Sequence, residues 1–209
     1  MYYHSAMKTK KDSLESRKNA ISFYSKLSKK EKALFRKCAN LILPEKKILT
    51  FDDLIEFEKV RESLLPIKEK YSLSLNDLFS LAKEQLFLPS TIFNEKLTVL
   101  ESVVKYLREE KKFSLKKISD LVGRDQRNVW SIYNSAKKKY SKLFIVKDVK
   151  YWIPVSIFLD KLSALESVVL YLKEEFSLNY HEIALLLKRD DRTIWTVYQR
   201  ARKKNAKTR

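Results

Sequence analysis

Lysine and arginine side chains, the groups that pair with a run of phosphates, crowd into two stretches of this sequence. Residues 124–152 carry eight of them against Asp125 and Asp148, and residues 189–209 carry eight against Asp190 and Asp191, a net +6 each. Together they supply most of the chain's formal charge of +18. Charge gathered in two places is the electrostatic footprint expected of a protein that meets a polyanion. A solubilising lysine-rich surface is the alternative. What favours the polyanion is that the two stretches occupy the same place in an internal repeat.

The repeat is long and has no gap. PSTIFNEKLTVLESVVKYLREE returns as PVSIFLDKLSALESVVLYLKEE, and GRDQRNVWSIYNSAKKK returns as KRDDRTIWTVYQRARKK, all at an offset of 65 residues. Pro89 thus matches Pro154, Glu101 matches Glu166, Arg124 matches Arg189, Trp130 matches Trp195 and Lys139 matches Lys204. About half of the positions in 88–139 are identical to their counterparts in 153–204, far beyond chance composition. Two copies are too few for a solenoid. They read as a tandem pair of one small module, each ending in a basic helix.

The elements that must position those basic helices are helices throughout. One glycine and four prolines punctuate 209 residues, and apolar side chains recur at three- and four-residue spacing, an all-α signature. Residues 1–87 read as a helical N-terminal domain of unassigned role, with helices over 13–27, 29–42, 51–64 and 75–86. Ser28 with Glu31, Thr50 with Asp53 and Ser74 with Asp77 place a cap three residues before an acid, the first pair alone being a strict capping box. The first module spans 88–142, and a connector with the second module spans 143–209. Each module opens on an extended stretch, LFLPSTIF or YWIPVSIF, because Pro89 and Pro154 disfavour helix at the residue before them. A first helix follows, capped by Thr98 with Glu101 or Ser163 with Glu166, and burying Leu100, Val103, Val104 and Leu107 or Leu165, Val168, Val169 and Leu172. A short second helix, 115–122 or 180–187, precedes a final helix that Asp125 or Asp190 caps. That final helix buries Val129, Ile132 and Ala136, or Ile194, Val197 and Ala201. The apolar connector KLFIVKDVKYWIP reads as extended and packed rather than floppy.

A short helix, a tight turn and a longer basic helix on a supporting helix make a tri-helical helix-turn-helix module. Gly123, the chain's one glycine, falls in the turn, where this motif often needs a positive φ. Lys188 takes that place in the second copy, where it either bears a small strain or belongs to a different turn. At these residues SLKKISDLVGRDQRNVWSIYNSAKKKY and YHEIALLLKRDDRTIWTVYQRARKK resemble the fourth-region helix-turn-helix of bacterial sigma factors. The shared features are the Ile of the second helix, the polar cap at the turn, the Val/Ile–x–x–Ile/Val core and the trailing Ala before basic residues. The resemblance covers about 45 residues of each copy and none of residues 1–87.

The resemblance implies a DNA-reading helix in each module. The family's base-reading positions fall on Gln126, Arg127 and Ser131, and on Asp191, Arg192 and Thr196. Their chemistry suits the task, since Arg127 and Arg192 can fork onto a guanine edge, Gln126 can pair with adenine and Asp191 can accept from cytosine. The other reading of Arg192 is an ion pair with a carboxylate at its own helix start. Arg124, Lys137, Lys138 and Lys139, with Arg189, Arg200, Arg202, Lys203 and Lys204, are the expected phosphate contacts. Trp130 and Trp195 depart from the family, which usually has a polar or basic residue there, and Tyr133 and Tyr198 share their helical face. These aromatics either touch sugar, phosphate or a thymine methyl, or cover the first helix or the partner module.

The sequence therefore points to double-stranded DNA as partner and to a transcriptional regulator with two related half-sites. RNA polymerase, on which the resembling sigma region also docks, and RNA remain the alternative partners. Residues 1–87 lack a promoter-melting region, so the chain does not read as a complete sigma factor. Nothing points to an enzyme: there is no P-loop, no Cys–His pair, and the acids Asp52, Asp53, Glu56 and Glu58 read as a solvated face. Cys38 is the single cysteine and His4 and His181 the only histidines, so neither a disulfide framework, a zinc site nor a cofactor is expected. No apolar run reaches the ~20 residues of a membrane span, and a cytoplasmic, nucleoid-associated protein is the expectation, with its oligomeric state open and a monomer compatible with the tandem modules.

Overall fold

Helix periodicity and helix caps govern most of the architecture seen in a computed structural model, which describes residues 15–16, 19–42, 51–159 and 161–206. Among the described residues the protein is all-α apart from one small sheet of two short strands. The chain divides into two compact units, Met1–Phe87 and Leu88–Arg209. Among the described residues no helix is long and apolar enough to cross a membrane.

The first unit contains α1 (residues 19–26), α2 (Lys29–Ile42), α3 (Phe51–Tyr71) and α4 (Leu75–Glu84). The described part of the expected 13–27 helix, residues 15–16 and 19–26, is helical. Ser28 and Glu31 exchange backbone–side-chain bonds of 2.7 and 3.3 Å. Ser74 and Asp77 do the same at 2.9 and 3.0 Å, so the shorter aspartate completes a capping box as glutamate does. Thr50 lies outside the described residues. Helix α3 runs past its expected end at residue 64, with Pro66 inside it. An interior proline costs about 3 kcal/mol, whereas Val60, Leu64 and Ile67 continue one buried stripe, each worth roughly 1.5–3 kcal/mol. Burial wins over local propensity. Cys38 is buried in this core, and burial pushes its thiol up to about 12, which leaves it inert at neutral pH.

The second unit holds both repeats. Strand β1 (Phe87–Pro89) leads into a first 3₁₀ turn (Ser90–Ile92), then α5 (Val99–Glu109), α6 (Leu115–Val122) and α7 (Gln126–Lys139). Strand β2 (Trp152–Pro154) leads into a second 3₁₀ turn (Val155–Leu159), then α8 (Ala164–Phe176), α9 (Tyr180–Leu187) and α10 (Asp191–Ala206). Within each repeat the last helix packs on the first, α7 on α5 and α10 on α8. The interior is apolar and repeats residue for residue: Val103, Val104, Leu107, Ile118, Val129 and Ala136 are buried, as are Val168, Val169, Leu172, Ile183, Ile194 and Ala201.

Between repeats, β1 pairs with β2, α5 packs on α8, α6 packs on the second 3₁₀ turn and α9 on the first. The connector is packed near both of its ends, through Phe144 and through Ile153 and Pro154 of β2. Phe144 is buried, stacked on Tyr140 with ring centres 5.7 Å apart and tilted on Tyr106 at 6.4 Å. Leu143, Ile145 and Val146 beside it are exposed, so the packing expected of this segment is partial. Tyr140 and Phe144 have a further effect, because they shelter Lys105. This lysine is wholly buried, pairs with Glu109 and lies 6.0 and 5.8 Å from the two ring centres.

Both turns of the helix-turn-helix adopt the left-handed conformation. Gly123 has φ 61° and ψ 40°, and Lys188 has φ 53° and ψ 54°, so the second copy bears the strain and keeps the turn. The two positions should respond oppositely to substitution. A Cβ at Gly123 would meet its nearest neighbours at 3.6–3.7 Å, ordinary contact, so Gly123→Ala should cost only the conformational penalty, about 1 kcal/mol. Lys188→Gly should relieve strain and raise stability by about 0.5–1 kcal/mol. Urea unfolding of the full chain measures both, and a lower midpoint for Lys188→Gly would show that its side-chain packing outweighs the backbone strain.

Candidate nucleic-acid interface

Helices α7 and α10, the recognition helices of the sequence-based expectation, each begin at an aspartate cap. The Asp125 carboxylate accepts from the Arg127 amide at 2.8 Å, and the Asp190 carboxylate accepts from the Arg192 amide at 2.9 Å and more weakly from Thr193. These bonds satisfy amides that the first helical turn leaves without partners. They also hold the following side chains at the solvent edge. The lysines in the last turns of α7 and α10 lie where the helix dipole favours positive charge.

Two polar clamps then set how each recognition helix lies on its supporting helix. Glu101 and Glu166, nearly buried, each close the capping box of their own helix and accept from a lysine on the recognition helix, Lys139 at 2.7 Å and Lys204 at 2.8 Å. Burial by itself raises the Glu101 carboxyl; the bonds from Lys139, Thr98 and Ser135 outweigh it and hold the group below its ordinary value. Glu166 is lowered in the same way, Lys204 and Ser163 overcoming its desolvation. The second clamp is a tyrosine hydroxyl, from Tyr133 to Glu109 at 3.3 Å and from Tyr198 to Glu174 at 2.6 Å. The Glu174 bond, ahead of burial, pushes the Tyr198 phenol up to about 12.

With the inner faces so committed, the outer faces repeat. Gln126, Arg127, Trp130, Ser131 and Lys138 are exposed on α7 and Asn134 half-exposed. On α10, Asp191, Arg192, Trp195 and Lys203 are exposed and Thr196 and Gln199 half-exposed. In both sets the members recur at gaps of one, three, one, three and four residues, the spacing of one helical face, so each set forms one stripe along its helix. The tryptophans stand out from the surface at 59% and 53% exposure, which excludes the reading of them as buried cover. On α7, Trp130 and Ser131 line two adjoining depressions, one continued by Gln126 and Arg127 and the other by Asn134 and Lys138.

The sequence-derived residues thus separate by position. Neither Arg127 nor Arg192 makes an ion pair among the described residues, so the pairing of Arg192 with a carboxylate at its own helix start does not occur. Asp191 lies 3.0 Å from His181 Nδ1, both groups exposed. Thr196 returns its hydroxyl to the Arg192 carbonyl at 2.8 Å. Lys137, Lys138, Arg200, Arg202 and Lys203 are exposed, with Arg202 over the Tyr198 ring at 5.9 Å. Four of the expected phosphate contacts also have internal partners. Lys139 and Lys204 are neutralised by nearly buried carboxylates, and Arg189 donates to the carbonyls of Asn94 at 3.3 Å and Leu97 at 2.6 Å in the other repeat. Arg124 donates to the Gly123 carbonyl at 3.1 Å. Tyr133 and Tyr198 are packing residues. The signal for the lysine clamps was present in the sequence, since both copies keep Glu and Lys at a separation of 38 residues. Among the described residues no group of three or more His, Cys, Asp and Glu side chains is placed to hold a metal ion.

Replacing Glu101 or Glu166 by Gln should destabilise the second unit by about 1–2 kcal/mol at neutral pH, through loss of a charge-assisted bond and a weaker cap. Both carboxyls titrate lower when folded than when unfolded. Their stabilisation is therefore complete above the unfolded value of about 4.3 and is lost as pH falls through the folded values. Denaturant unfolding at a series of pH values should show a shallower acid loss in the Gln variants; an unchanged acid limb would remove the clamp from the account. No family model, curated protein or solved structure matches this chain.

Proposed function

We propose that the chain is a sequence-specific double-stranded DNA-binding protein acting in transcription regulation, with α7 and α10 as its reading helices. The observation that carries this reading is the repeated exposed stripe: Arg127, Trp130, Ser131 and Lys138 on one helix, and Arg192, Trp195, Thr196 and Lys203 on the other. An α-helix fits the major groove of B-DNA, and an arginine at its start can reach guanine O6 and N7 together. Gln126 offers an amide to adenine and Asp191 an acceptor to cytosine. Trp130 and Trp195 extend far enough from the helix to lie against sugar or a thymine methyl. Lys137, Lys138, Arg200, Arg202 and Lys203 supply the charge that phosphates neutralise, releasing counterions. A protein interface of the same size would have a more apolar centre and fewer lysines.

Two outcomes follow. Affinity for duplex DNA should fall steeply with salt, with a slope corresponding to roughly four to ten phosphate contacts. Emission of the exposed tryptophans should change in the same titration. A salt-independent interaction, or tighter binding to a structured RNA than to any duplex in a random library, would replace this reading.

Arg127→Ala and Arg192→Ala should each cost about 1–3 kcal/mol on the preferred site and relax the base preference at one position of one half-site. Lys138→Ala and Lys203→Ala should weaken all sequences alike and lower the salt slope. Competition between preferred and random duplexes distinguishes the two classes. Unchanged discrimination in the arginine variants would show that α7 and α10 do not read bases.

A further inference from the structure

We infer that the two recognition helices are related by an approximate twofold axis, and that their target is an imperfect inverted repeat within a single duplex. The inference rests on the reading of α7 and α10 as DNA-reading helices and adds the symmetry of what they read.

The symmetry follows from which surfaces the repeats use on each other. A shift of 65 residues turns β1 into β2, α5 into α8, α6 into α9 and the first 3₁₀ turn into the second. The contacts β1 with β2 and α5 with α8 join equivalent elements. The remaining two are reciprocal, α6 on the second 3₁₀ turn and α9 on the first. Each repeat therefore offers the same patch to the other, which defines an isologous, twofold interface. A head-to-tail arrangement would instead join one surface of the first repeat to a different surface of the second.

The residue contacts agree. A Cβ at Gly123 would lie 3.6 Å from the Leu159 side chain and 3.7 Å from the Phe158 carbonyl. In the other direction Arg189, which follows the equivalent Lys188, bonds the Asn94 and Leu97 carbonyls. Asn94 and Leu159 are themselves equivalent positions. The turn that aims each recognition helix thus rests on the same segment of the opposite repeat. The separation and direction of α7 and α10 are set by this packing and not by the reach of the connector.

Two helices related by a twofold axis fit one duplex when the duplex axis of symmetry coincides with theirs, which places the half-sites on opposite strands. The half-sites cannot be identical, because the stripes are not. Arg127 and Arg192 ask for the same base, whereas Gln126 and Asp191 stand at one equivalent position and favour adenine and cytosine. The expected site is a palindrome shared at the arginine position and broken at the neighbouring one.

The test enriches duplexes from a random library with the full chain, then compares inverted, direct and everted arrangements of the selected half-site. The inverted repeat should bind roughly 100-fold or more tightly than a single half-site, while a direct repeat should bind like a single half-site. Inserting about five base pairs at the centre should remove the gain by turning one half-site to the opposite face. Asp191→Gln should shift the selected site toward a perfect palindrome. Preference for a direct repeat, equal binding to every arrangement, or two duplexes bound per chain would overturn the twofold reading while leaving DNA binding intact. Failure to bind any duplex would overturn both.

Discussion

A three-helix repeat of this length buries only part of its own apolar surface, and that shortage governs the second unit. Its short second helix, α6 or α9, has the preceding helix and the recognition helix on one side and needs cover on another. The cover comes from the opposite repeat, whose 3₁₀ turn brings Ile92 or Val155 and Phe158 into the shared interior. Small modules leave a large fraction of their surface in water, so joining two doubles the core without doubling its boundary. Exchange of cover also makes the arrangement cooperative, because neither helix-turn-helix has a complete interior without the other.

Polar groups then decide orientation within that interior. Glu101 and Glu166 serve two helices at once, capping one and holding a lysine of the next, so a recognition helix that rotated would leave a nearly buried carboxylate without its cation. Leaving such a charge unpaired costs more than forming the pair gains. The tyrosine clamps act from the same face. Together they leave Trp130 and Trp195 turned outward.

The repeats differ where the chain has only one of something. The connector exists once, and its Tyr140 and Phe144 cover α5, so α5 can hold Lys105 fully buried beside Glu109. The equivalent residue in α8 is Leu170, half-buried and without such a lid. Arg189 bridges to the first repeat, while Arg124 bonds its neighbouring carbonyl. The second repeat thus accepts a strained lysine in its turn and has a cross-repeat arginine beside it, and the first has glycine and needs neither.

What the sequence alone determined was mostly local. The all-α class, the limits of α6 and α9, the aspartate caps of the recognition helices and the capping boxes of α5 and α8 rest on neighbours within a few residues, and they were legible for that reason. The face that each recognition helix leaves open was also legible, since burial follows the 3.6-residue period. Tertiary structure decided what depends on distant partners. Pro66 sits inside α3 because Ile67 finds a core. Lys139, Lys204 and Arg189 turn to internal partners because folding brings carboxylates and carbonyls to them. The twofold relation of the repeats was invisible in a tandem sequence, because a fixed offset along the chain is compatible with any rotation in space. Reciprocal packing of α6 and α9 on the opposite 3₁₀ turns selected this one.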